Sequence, residues 1–306
     1  MKFFAFGLGY CARHFVCHSK NSFEAAAGTV REQAKARELP GASIETFSFS
    51  TEKDDSAIAD RVGASDVILV SVPPGISADP VLARFGHRIA TLPRAQTIIY
   101  LSSVGVYGDR RGDWVDESVA PLPGSERALA RLQAERSWAA LGSEKGKKVY
   151  ILRLAGIYGP GRNALVSLKA GTARRIVKRG HVSNRIHIED ISRAIGAAIA
   201  HSGEGGIFNV SDDAPAPPQD VIKYAAMLMG LEPPPEQDLE SADLTPLARS
   251  FYAENRRISN RKLKDEFGLR LAYPTYRVGL EALWEAGEGR DEAGAIIPSG
   301  DGAALS

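Results

Sequence analysis

Short runs of hydrophobic residues alternate with amphipathic, helix-like segments through the first two thirds of the chain. Several of these runs are apolar almost throughout, which is typical of strands that are covered on both faces. The pattern predicts six strands in this part, at Lys2–Phe6, Glu24–Val30, Ile44–Phe49, Asp66–Val72, Thr97–Leu101 and Lys148–Leu154. Between them it predicts helices, among them Cys11–Ser19, Ser56–Val62, Val81–Leu92 and Ser125–Leu141.

This alternation predicts an α/β fold with a doubly wound parallel sheet and right-handed crossovers, the Rossmann arrangement. Residues 1–165 form the predicted sheet domain, and a late apolar run at Gly206–Val210 is expected to rejoin its sheet. Residues 166–285 are predicted to form a smaller subdomain, because proline and acidic residues become frequent there around a helix at Gln219–Met229. Residues 286–306 lack helical periodicity and are predicted to be a disordered tail.

Composition narrows the classes of partner. The chain has 306 residues with a formal net charge of +1, which argues against an electrostatic nucleic-acid footprint. No apolar run approaches the length of a membrane span, and glycines interrupt the N-terminal apolar stretch, so we interpret that stretch as a strand. Two cysteines are too few for a disulfide framework, which favours a cytoplasmic location.

The first predicted strand runs directly into the spacing G-x-G-x-x-A. Gly7 permits a tight turn, Gly9 lets a pyrophosphate approach the backbone, and Ala12 allows the following helix to pack closely on the strand. The N-terminus of that helix supplies an anion site. The sequence therefore predicts dinucleotide binding by residues 1–165.

The choice of dinucleotide depends on the end of the second strand. Arg31 stands there, near Thr29, where a site for NAD usually carries a carboxylate, and a guanidinium can grip the 2′-phosphate of NADP. We predict NADP, with NAD as the alternative if Glu32 holds the ribose. Ser71 and Pro73, in the "SVPPG" stretch that ends the fourth strand, are predicted to line the adenine and ribose, unless they form an ordinary turn.

Cys11, His14 and His18 share one stripe of the first predicted helix, a pattern that also suits metal binding. That helix abuts the predicted pyrophosphate site, and the sequence shows no fourth ligand. We therefore predict no metal site and interpret the three residues as lateral helix residues.

Several motifs in order resemble a known family. The glycine loop, "YLSSVGVYG", "ILRLAGIYGPGR", "NRIHIEDISRAI" and "GIFNV" are similar to extended short-chain dehydrogenases/reductases, a group that includes the NAD-dependent epimerase/dehydratase family. The resemblance covers roughly residues 1–285. It implies a Rossmann domain with a smaller C-terminal substrate-binding subdomain.

The resemblance also implies catalytic positions. The family's serine corresponds to Ser103, while its Tyr-x-x-x-Lys pair corresponds to Arg127 and Arg131. Arg131 can replace the lysine in holding the nicotinamide ribose. Arg127 cannot act as an acid or base, because a guanidinium stays protonated, and at most it stabilises a developing oxyanion. The chain thus resembles the atypical members that lack the Tyr–Lys pair.

Other proton donors are therefore candidates. Tyr107 and Tyr158 follow the fifth and sixth predicted strands, and water is a further alternative. Tyr107 is also compatible with a packing role, and the family's histidine, His187 here, usually supports the fold. Arg162 is a candidate anion contact, although a surface salt bridge explains it equally well.

The leading hypothesis is an NADP-dependent oxidoreductase or epimerase that acts on a small polar metabolite or sugar derivative. The competing hypothesis is a non-catalytic NAD(P)-binding sensor or scaffold with a degenerate active site. A lyase or dehydratase is less favoured, because Glu117 is the one nearby acid and paired carboxylates are absent from the sequence around it. Neither a nucleic-acid nor a membrane partner is expected, and a homodimer is left open.

Overall fold

The computed structural model describes residues 1–19, 22–31, 44–49, 56–92 and 96–290. Glu32 and residues 291–306 of the predicted tail 286–306 lie outside the described residues. Residues 286–290 of that tail instead pack on the protein, since Glu288 accepts hydrogen bonds from the Gly161 amide and from Asn163 Nδ2, both at 3.0 Å. The strands are β1 Lys2–Phe6, β2 Ala25–Val30, β3 Ile44–Ser48, β4 Val67–Val70, β5 Thr97–Ser103, β6 Trp114–Val115, β7 Lys148–Leu154, β8 Gly156–Tyr158, β9 Arg175–Val177, β10 Arg185–His187, β11 Gly205–Val210, β12 Glu236–Asp238 and β13 Arg257–Ile258. The helices are α1 Tyr10–His18, α2 Ser56–Ala64, α3 Pro80–Thr91, α4 Glu126–Lys145, α5 Ala164–Lys169, α6 Ile188–Ala200, α7 Pro218–Met229, α8 Pro246–Ser250, α9 Arg261–Phe267 and α10 Tyr276–Glu285.

Seven strands form one sheet in the order β11-β7-β5-β4-β1-β2-β3, and every neighbouring pair in it is parallel. The chain moves outward from β1 to β3, returns to β4, and moves outward again on the other side. This is the doubly wound order that the alternating pattern predicts, so the predicted fold class is confirmed. The predicted return of the late apolar run is also confirmed, because β11 pairs with β7.

Helices cover both faces of the sheet. In β1, Phe3 and Ala5 belong to one hydrophobic core, and Phe4 and Phe6 belong to the other. Buried residues of α1, α6 and α9 complete the first core, and those of α2, α3 and α4 complete the second. Full burial of one such phenylalanine contributes about 1.5–3 kcal/mol. This two-sided burial explains why the strands are apolar without alternation.

A third, smaller core lies outside the sheet. It joins helices α5, α7 and α10 through residues such as Leu165, Ala225 and Leu280, all of which are buried. The predicted subdomain 166–285 therefore contributes to more than one core, because its helices α6 and α9 pack on the main sheet instead.

Three short parallel pairs tie distant segments together: β6 with β13, β8 with β10, and β9 with β12. The first of these pairs holds the segment that follows β5. Beside it, Arg256 donates a 2.6 Å hydrogen bond to the carbonyl oxygen of Gly108, and the Asn255 amide donates to Asp109 Oδ1 at 2.8 Å. The segment 108–124 is thereby braced by residues 254–258.

Among the described helices, none is both long and apolar enough to cross a bilayer.

Candidate active site

The turn between β1 and α1 has the conformation that the glycine spacing predicts. Gly7 has a φ of +88°, and a Cβ atom there would lie 3.0 Å from Val72 Cγ2, so both backbone and space require glycine. The Gly7 amide donates to Thr29 Oγ1 at 2.9 Å, and Ser71 Oγ donates to the Gly7 carbonyl oxygen at 2.9 Å. Strands β2 and β4 thus hold the turn from both sides.

Gly9 differs from Gly7 in a way that bears on function. Its φ of −83° is open to any residue, and the nearest atom to a Cβ added at this position would be Ser71 Oγ at 3.9 Å. Gly9 is exposed and caps α1, and no side chain of the described residues caps that first turn. The backbone N–H groups there are therefore directed at an anion from outside, and a bare glycine leaves room for its approach. Ala12 is fully buried, as close packing of the helix requires.

Gly28 on β2 packs against this turn, and the sequence analysis missed it. A Cβ atom on Gly28 would lie 2.8 Å from both the Ala5 carbonyl oxygen and Leu8 Cγ. Leu8, which lies between Gly7 and Gly9, therefore leaves no room for a side chain at position 28 of β2. The signal was a glycine inside an otherwise apolar strand, which often marks a close approach.

The residues predicted to select the dinucleotide lie at the ends of β2 and β4. Arg31 follows β2 directly and is exposed, as is Pro73 beyond β4, while Ser71 is partly buried. Thr29 is 1% exposed and accepts the Gly7 amide, so its hydroxyl supports the loop and does not face a ribose.

Ser103 is the last residue of β5, at the carboxyl edge of the sheet where ligands of this fold class bind. Its Oγ accepts a 3.1 Å hydrogen bond from the Gly105 amide, at the start of a short 3-10 helix Val104–Tyr107. The side chain is half-buried. Because this bond uses an oxygen lone pair, the hydroxyl proton of Ser103 is left to donate to a ligand.

The two arginines on α4 have different environments. Arg131 Nη1 donates a 3.0 Å hydrogen bond to the carbonyl oxygen of Leu101 on β5, so it is anchored next to the strand that carries Ser103. Arg127, one helical turn earlier, is exposed and has no hydrogen bond or ion pair within the described part of the chain. Its guanidinium is therefore available to an anion.

A buried polar network lies beneath this strand end, and the sequence analysis did not identify it. Arg153 contacts both carboxylate oxygens of Glu135, at 2.7 Å from Nη2 and 3.1 Å from Nε, and Ser102 also donates to Glu135. The Arg153 guanidinium lies 4.7 Å from the centre of the Tyr107 ring. The Tyr107 hydroxyl donates to Asn209 Oδ1 at 2.9 Å. Polar residues interrupting apolar strands, as in "ILRL" and "GIFNV", were the available signal.

The alternative proton donors are all buried. Tyr107 is fully buried, and its hydroxyl is engaged by Asn209, a placement that favours the packing role over proton donation. The Tyr158 hydroxyl faces Gly279 and the Thr275 carbonyl oxygen, and burial raises its pKa strongly. His187 caps α6 through Nδ1, and burial lowers its pKa to about 4, so its ring is neutral.

Arg162, the candidate anion contact, differs in its environment from Arg185, an arginine of the "NRIHIEDISRAI" motif. Arg162 is exposed, and its positive charge lowers the pKa of both Tyr10 and Cys11 against the larger effect of burial, so it lies near the first turn of α1. Arg185 instead donates to the carbonyl oxygens of Ser183 and Ala216, which leaves it engaged by backbone.

Glu117, the acid noted near this site, accepts a 2.6 Å hydrogen bond from the Asn209 amide and is partly buried. Glu117 therefore helps to hold β11 in place, and Asn209 of this strand accepts the hydrogen bond of the Tyr107 hydroxyl.

In the folded protein, the histidines of helix α1 lie beside a carboxylate of helix α6. His14 and His18 lie together with Glu189 of α6, whereas the buried Cys11 is not part of this group. Burial raises the pKa of the Cys11 thiol to about 11.

Comparison with known proteins agrees with this geometry. The family model described as "NAD dependent epimerase/dehydratase family" matches residues 86–211. Protein YeeZ of Escherichia coli is 30% identical over 264 residues, which cover 80% of this chain and 86% of YeeZ. A solved structure of a functionally unknown conserved protein from Silicibacter pomeroyi is 41% identical, covers 94% of this chain and 99% of its own, and has a TM-score of 0.83.

A more distant structure shares the fold. UDP-glucuronic acid 4-epimerase from Bacillus cereus, in complex with NAD, is 17% identical with a TM-score of 0.73, and the match covers 93% of this chain and 96% of that one. The order of the seven strands, the glycine turn at the switch point and the similarity to YeeZ along most of its length lead to one assignment. The chain belongs to the NAD-dependent epimerase/dehydratase family.

Proposed function

We propose that this protein binds NADP at the carboxyl edge of its sheet and acts as an oxidoreductase or epimerase on a small polar metabolite or sugar derivative. The observation that carries the proposal is the turn Gly7–Gly9, which Thr29 and Ser71 hold open in front of the uncapped first turn of α1. The NAD complex of the distantly related epimerase supports a dinucleotide in this class of fold.

Each part of the dinucleotide has a candidate partner in this chain. The pyrophosphate would bind the first-turn amides of α1 at Gly9, with the charge of Arg162 nearby. The 2′-phosphate would meet the exposed Arg31 at the end of β2. Arg131, anchored on Leu101, would hold the nicotinamide ribose. Three cations around one anionic ligand favour NADP, whose phosphates carry the larger negative charge.

When bound, the nicotinamide would supply a hydride to the substrate or accept one from it. Ser103 donates its free hydroxyl proton in a hydrogen bond to the reacting oxygen of the substrate and so polarises it. Arg127 has an unpaired positive charge one turn before Arg131, and it stabilises negative charge that develops on that oxygen. Because the tyrosine candidates are buried, the proton is exchanged with water.

The cofactor-binding part of the proposal is tested by replacing each of two glycines with alanine. Gly9→Ala fits the backbone and the space of the protein itself, so it should keep the wild-type thermal midpoint but weaken NADPH binding at least about tenfold by calorimetry. Gly196→Ala, on α6 with no atom within 4 Å of the added methyl, is the matched control and should bind NADPH as the wild type does. Wild-type affinity in Gly9→Ala would refute this placement of the pyrophosphate.

The catalytic part of the proposal is tested by a screen for substrates. Carbonyl metabolites and sugar nucleotides are incubated with NADPH, and any turnover is compared in Ser103→Ala and Tyr107→Phe. Ser103→Ala should reduce turnover by about 10²-fold, the usual loss of one oxyanion donor, while Tyr107→Phe should retain it. Turnover that is indifferent to Ser103→Ala would refute the assigned site.

One observation favours a second function. The position of the family's proton-donating tyrosine is Arg127, and the other candidate donors, Tyr107 and Tyr158, are buried. A protein that binds NADPH without a general acid suits a sensor or scaffold, whose function rests on its bound state. Tight NADPH binding without turnover across the screen would support this second function.

A further inference from the structure

The C-terminal half of α1 and the first turn of α6 bring together three groups that the proposed reaction does not use. His14, His18 and Glu189, here called the α1–α6 cluster, each offer one ligand atom within 4.8 Å of the others. His14 Nε2 lies 3.7 Å from Glu189 Oε2, and the two imidazole rings are stacked with their centres 4.0 Å apart. Spacing of four residues on a helix places both rings on one face.

The other ring nitrogens are already engaged, which orients both imidazoles. His14 Nδ1 forms a 2.8 Å hydrogen bond with Ser192 Oγ on α6, and His18 Nδ1 donates to the His14 carbonyl oxygen at 2.8 Å. Metal-binding histidines characteristically use one nitrogen for such a bond and leave the second for the metal. In the cluster, that arrangement leaves the Nε2 atoms of both rings for a ligand.

We propose that His14, His18 and Glu189 form a binding site for a divalent transition metal of the zinc type. Two imidazole nitrogens and one carboxylate oxygen are a ligand set for Zn²⁺, Co²⁺ or Ni²⁺. Metal–ligand bonds of about 2.0–2.2 Å place tetrahedral ligand atoms about 3.3 Å apart, so the 3.7 Å separation of His14 and Glu189 needs only a small closure. The His14 and His18 rings are stacked with 21° between their planes, so the exposed His18 ring must turn for both Nε2 lone pairs to meet one metal.

Charge and accessibility agree with this site. Glu189 contributes the negative charge that offsets part of the metal's charge. Three protein ligands with one exposed member leave the fourth coordination position to water.

The structural effect of a metal here is a link between two helices. Helix α1 carries the uncapped turn at Gly9, and α6 begins directly after β10. A metal held by the α1–α6 cluster joins these helices independently of the dinucleotide. The proposal therefore does not rest on the proposed function, and its test does not use activity.

The experiment uses the full chain, purified without a polyhistidine tag and treated with a chelator. Zn²⁺ is titrated by calorimetry, and Co²⁺ is titrated by visible absorption, which reports coordination by protein ligands. We expect one equivalent to bind with a dissociation constant in the micromolar range or below. The thermal midpoint should rise by a few degrees with excess Zn²⁺, because the metal binds the folded state.

Three variants assign the site. His18→Ala and Glu189→Gln should each weaken Zn²⁺ binding at least about tenfold, because even loss of a group that only orients a metal ligand typically costs about 10–100-fold. His87→Ala, which removes another exposed helical histidine on α3, is the matched control and should leave affinity and stoichiometry unchanged. Because His18 is exposed, its replacement should not unfold the protein.

Two results would overturn the proposal. The first is that Zn²⁺ and Co²⁺ show no saturable one-to-one binding, with Glu189→Gln lowering the metal-free thermal midpoint, which would identify the cluster as a helix–helix ion pair alone. The second is that His18→Ala and His87→Ala bind metal equally well, which would place the binding elsewhere on the chain.

Discussion

The Arg153 guanidinium and the Glu135 carboxylate form an ion pair inside the protein, and each side chain is only 2% exposed. The pair joins β7 to the middle of α4, and Ser102, the residue before Ser103, donates to the same carboxylate. Because Arg131 lies on that helix, the pair fixes the distance between the arginine and the end of β5, which carries Ser103. The pair therefore has a positioning role in addition to any contribution to stability.

Removing one partner of this pair should destabilise the protein strongly. Glu135→Ala leaves the Arg153 charge buried without its counter-ion, which typically costs about 3–5 kcal/mol. The free energy of unfolding is measured by urea denaturation followed by circular dichroism. Glu144→Ala, at an exposed position of the same helix, is the control and should change it by less than about 0.5 kcal/mol. Equal effects of the two substitutions would contradict the role assigned to the pair.

Arg31 should determine the preference between the two dinucleotides. In Arg31→Ala, we expect NADPH affinity to fall about tenfold or more, since a charge-assisted contact to the 2′-phosphate is lost, while NADH affinity stays the same. Fluorescence titrations of both dinucleotides check this. Arg270→Ala, at another exposed arginine, should keep the wild-type preference. If wild type binds NADH and NADPH equally, the assignment of NADP is wrong.

Arg131 should support cofactor binding in place of a lysine. Arg131→Ala is expected to weaken NADPH binding by about 1–3 kcal/mol, the range for loss of a hydrogen bond to a charged group, and Arg131→Lys should recover part of it. Calorimetry gives the affinities, and a thermal melt of each variant separates binding from loss of the bond to Leu101. Arg136→Ala, exposed on the same helix, is the control. Unchanged affinity in Arg131→Ala would show that this side chain does not reach the ribose.

His181 should make the protein sensitive to acid. It is 3% exposed, and neither ring nitrogen has a hydrogen-bond partner among the described residues. Burial, followed by the charges of Lys178, Arg185 and Arg256, lowers its pKa to about 4, against an opposing effect of Asp109. The unfolded ring has a pKa of about 6.5. The unfolded chain therefore takes up the proton first, and stability present above pH 6.5 is lost as the pH falls towards 4.

His181→Leu removes that titration. Between pH 7 and pH 4.5 we expect the wild type to lose about 2 kcal/mol more unfolding free energy than His181→Leu. At pH 7 the variant should be at least as stable as the wild type, because no hydrogen bond is broken. Urea unfolding at the two pH values measures the difference. His87→Leu should follow the wild-type profile, and a His181→Leu profile parallel to the wild type would refute the assignment.

The hydrophobic pattern predicted the strand bounds most accurately where both faces of a strand are buried. The bounds of β1 and β7 are as predicted, because both strands are buried on their two faces and Arg153 is the one buried charged residue of β7. Strand β4 ends before the predicted Val72, since Ser71 leaves the sheet to hold the Gly7 turn. Strand β5 runs beyond the predicted Leu101, because Ser102 and Ser103 still pair with β7 although they are polar.

The candidate site was predictable only where its residues are close in sequence. The glycine turn follows from local spacing, whereas the link between Tyr107 and Asn209 joins residues 102 positions apart. No local pattern specifies such a partner, and the same holds for Glu189 beside His14. The two- and three-residue strands outside the sheet were missed for this reason, since distant contacts stabilise them and their own propensity does not.

The bracing of segment 108–124 by β13 has a consequence for how the protein is made. Gly112 accepts a hydrogen bond from Arg257, 145 residues further along the chain. During synthesis on the ribosome, the early strands of the sheet are available to pair long before residue 257 emerges. The segment that follows Ser103 therefore reaches its final position only after β13 has been made, and a nascent chain that stops before β13 has the glycine turn of residues 7–9 but lacks the contacts that hold this segment.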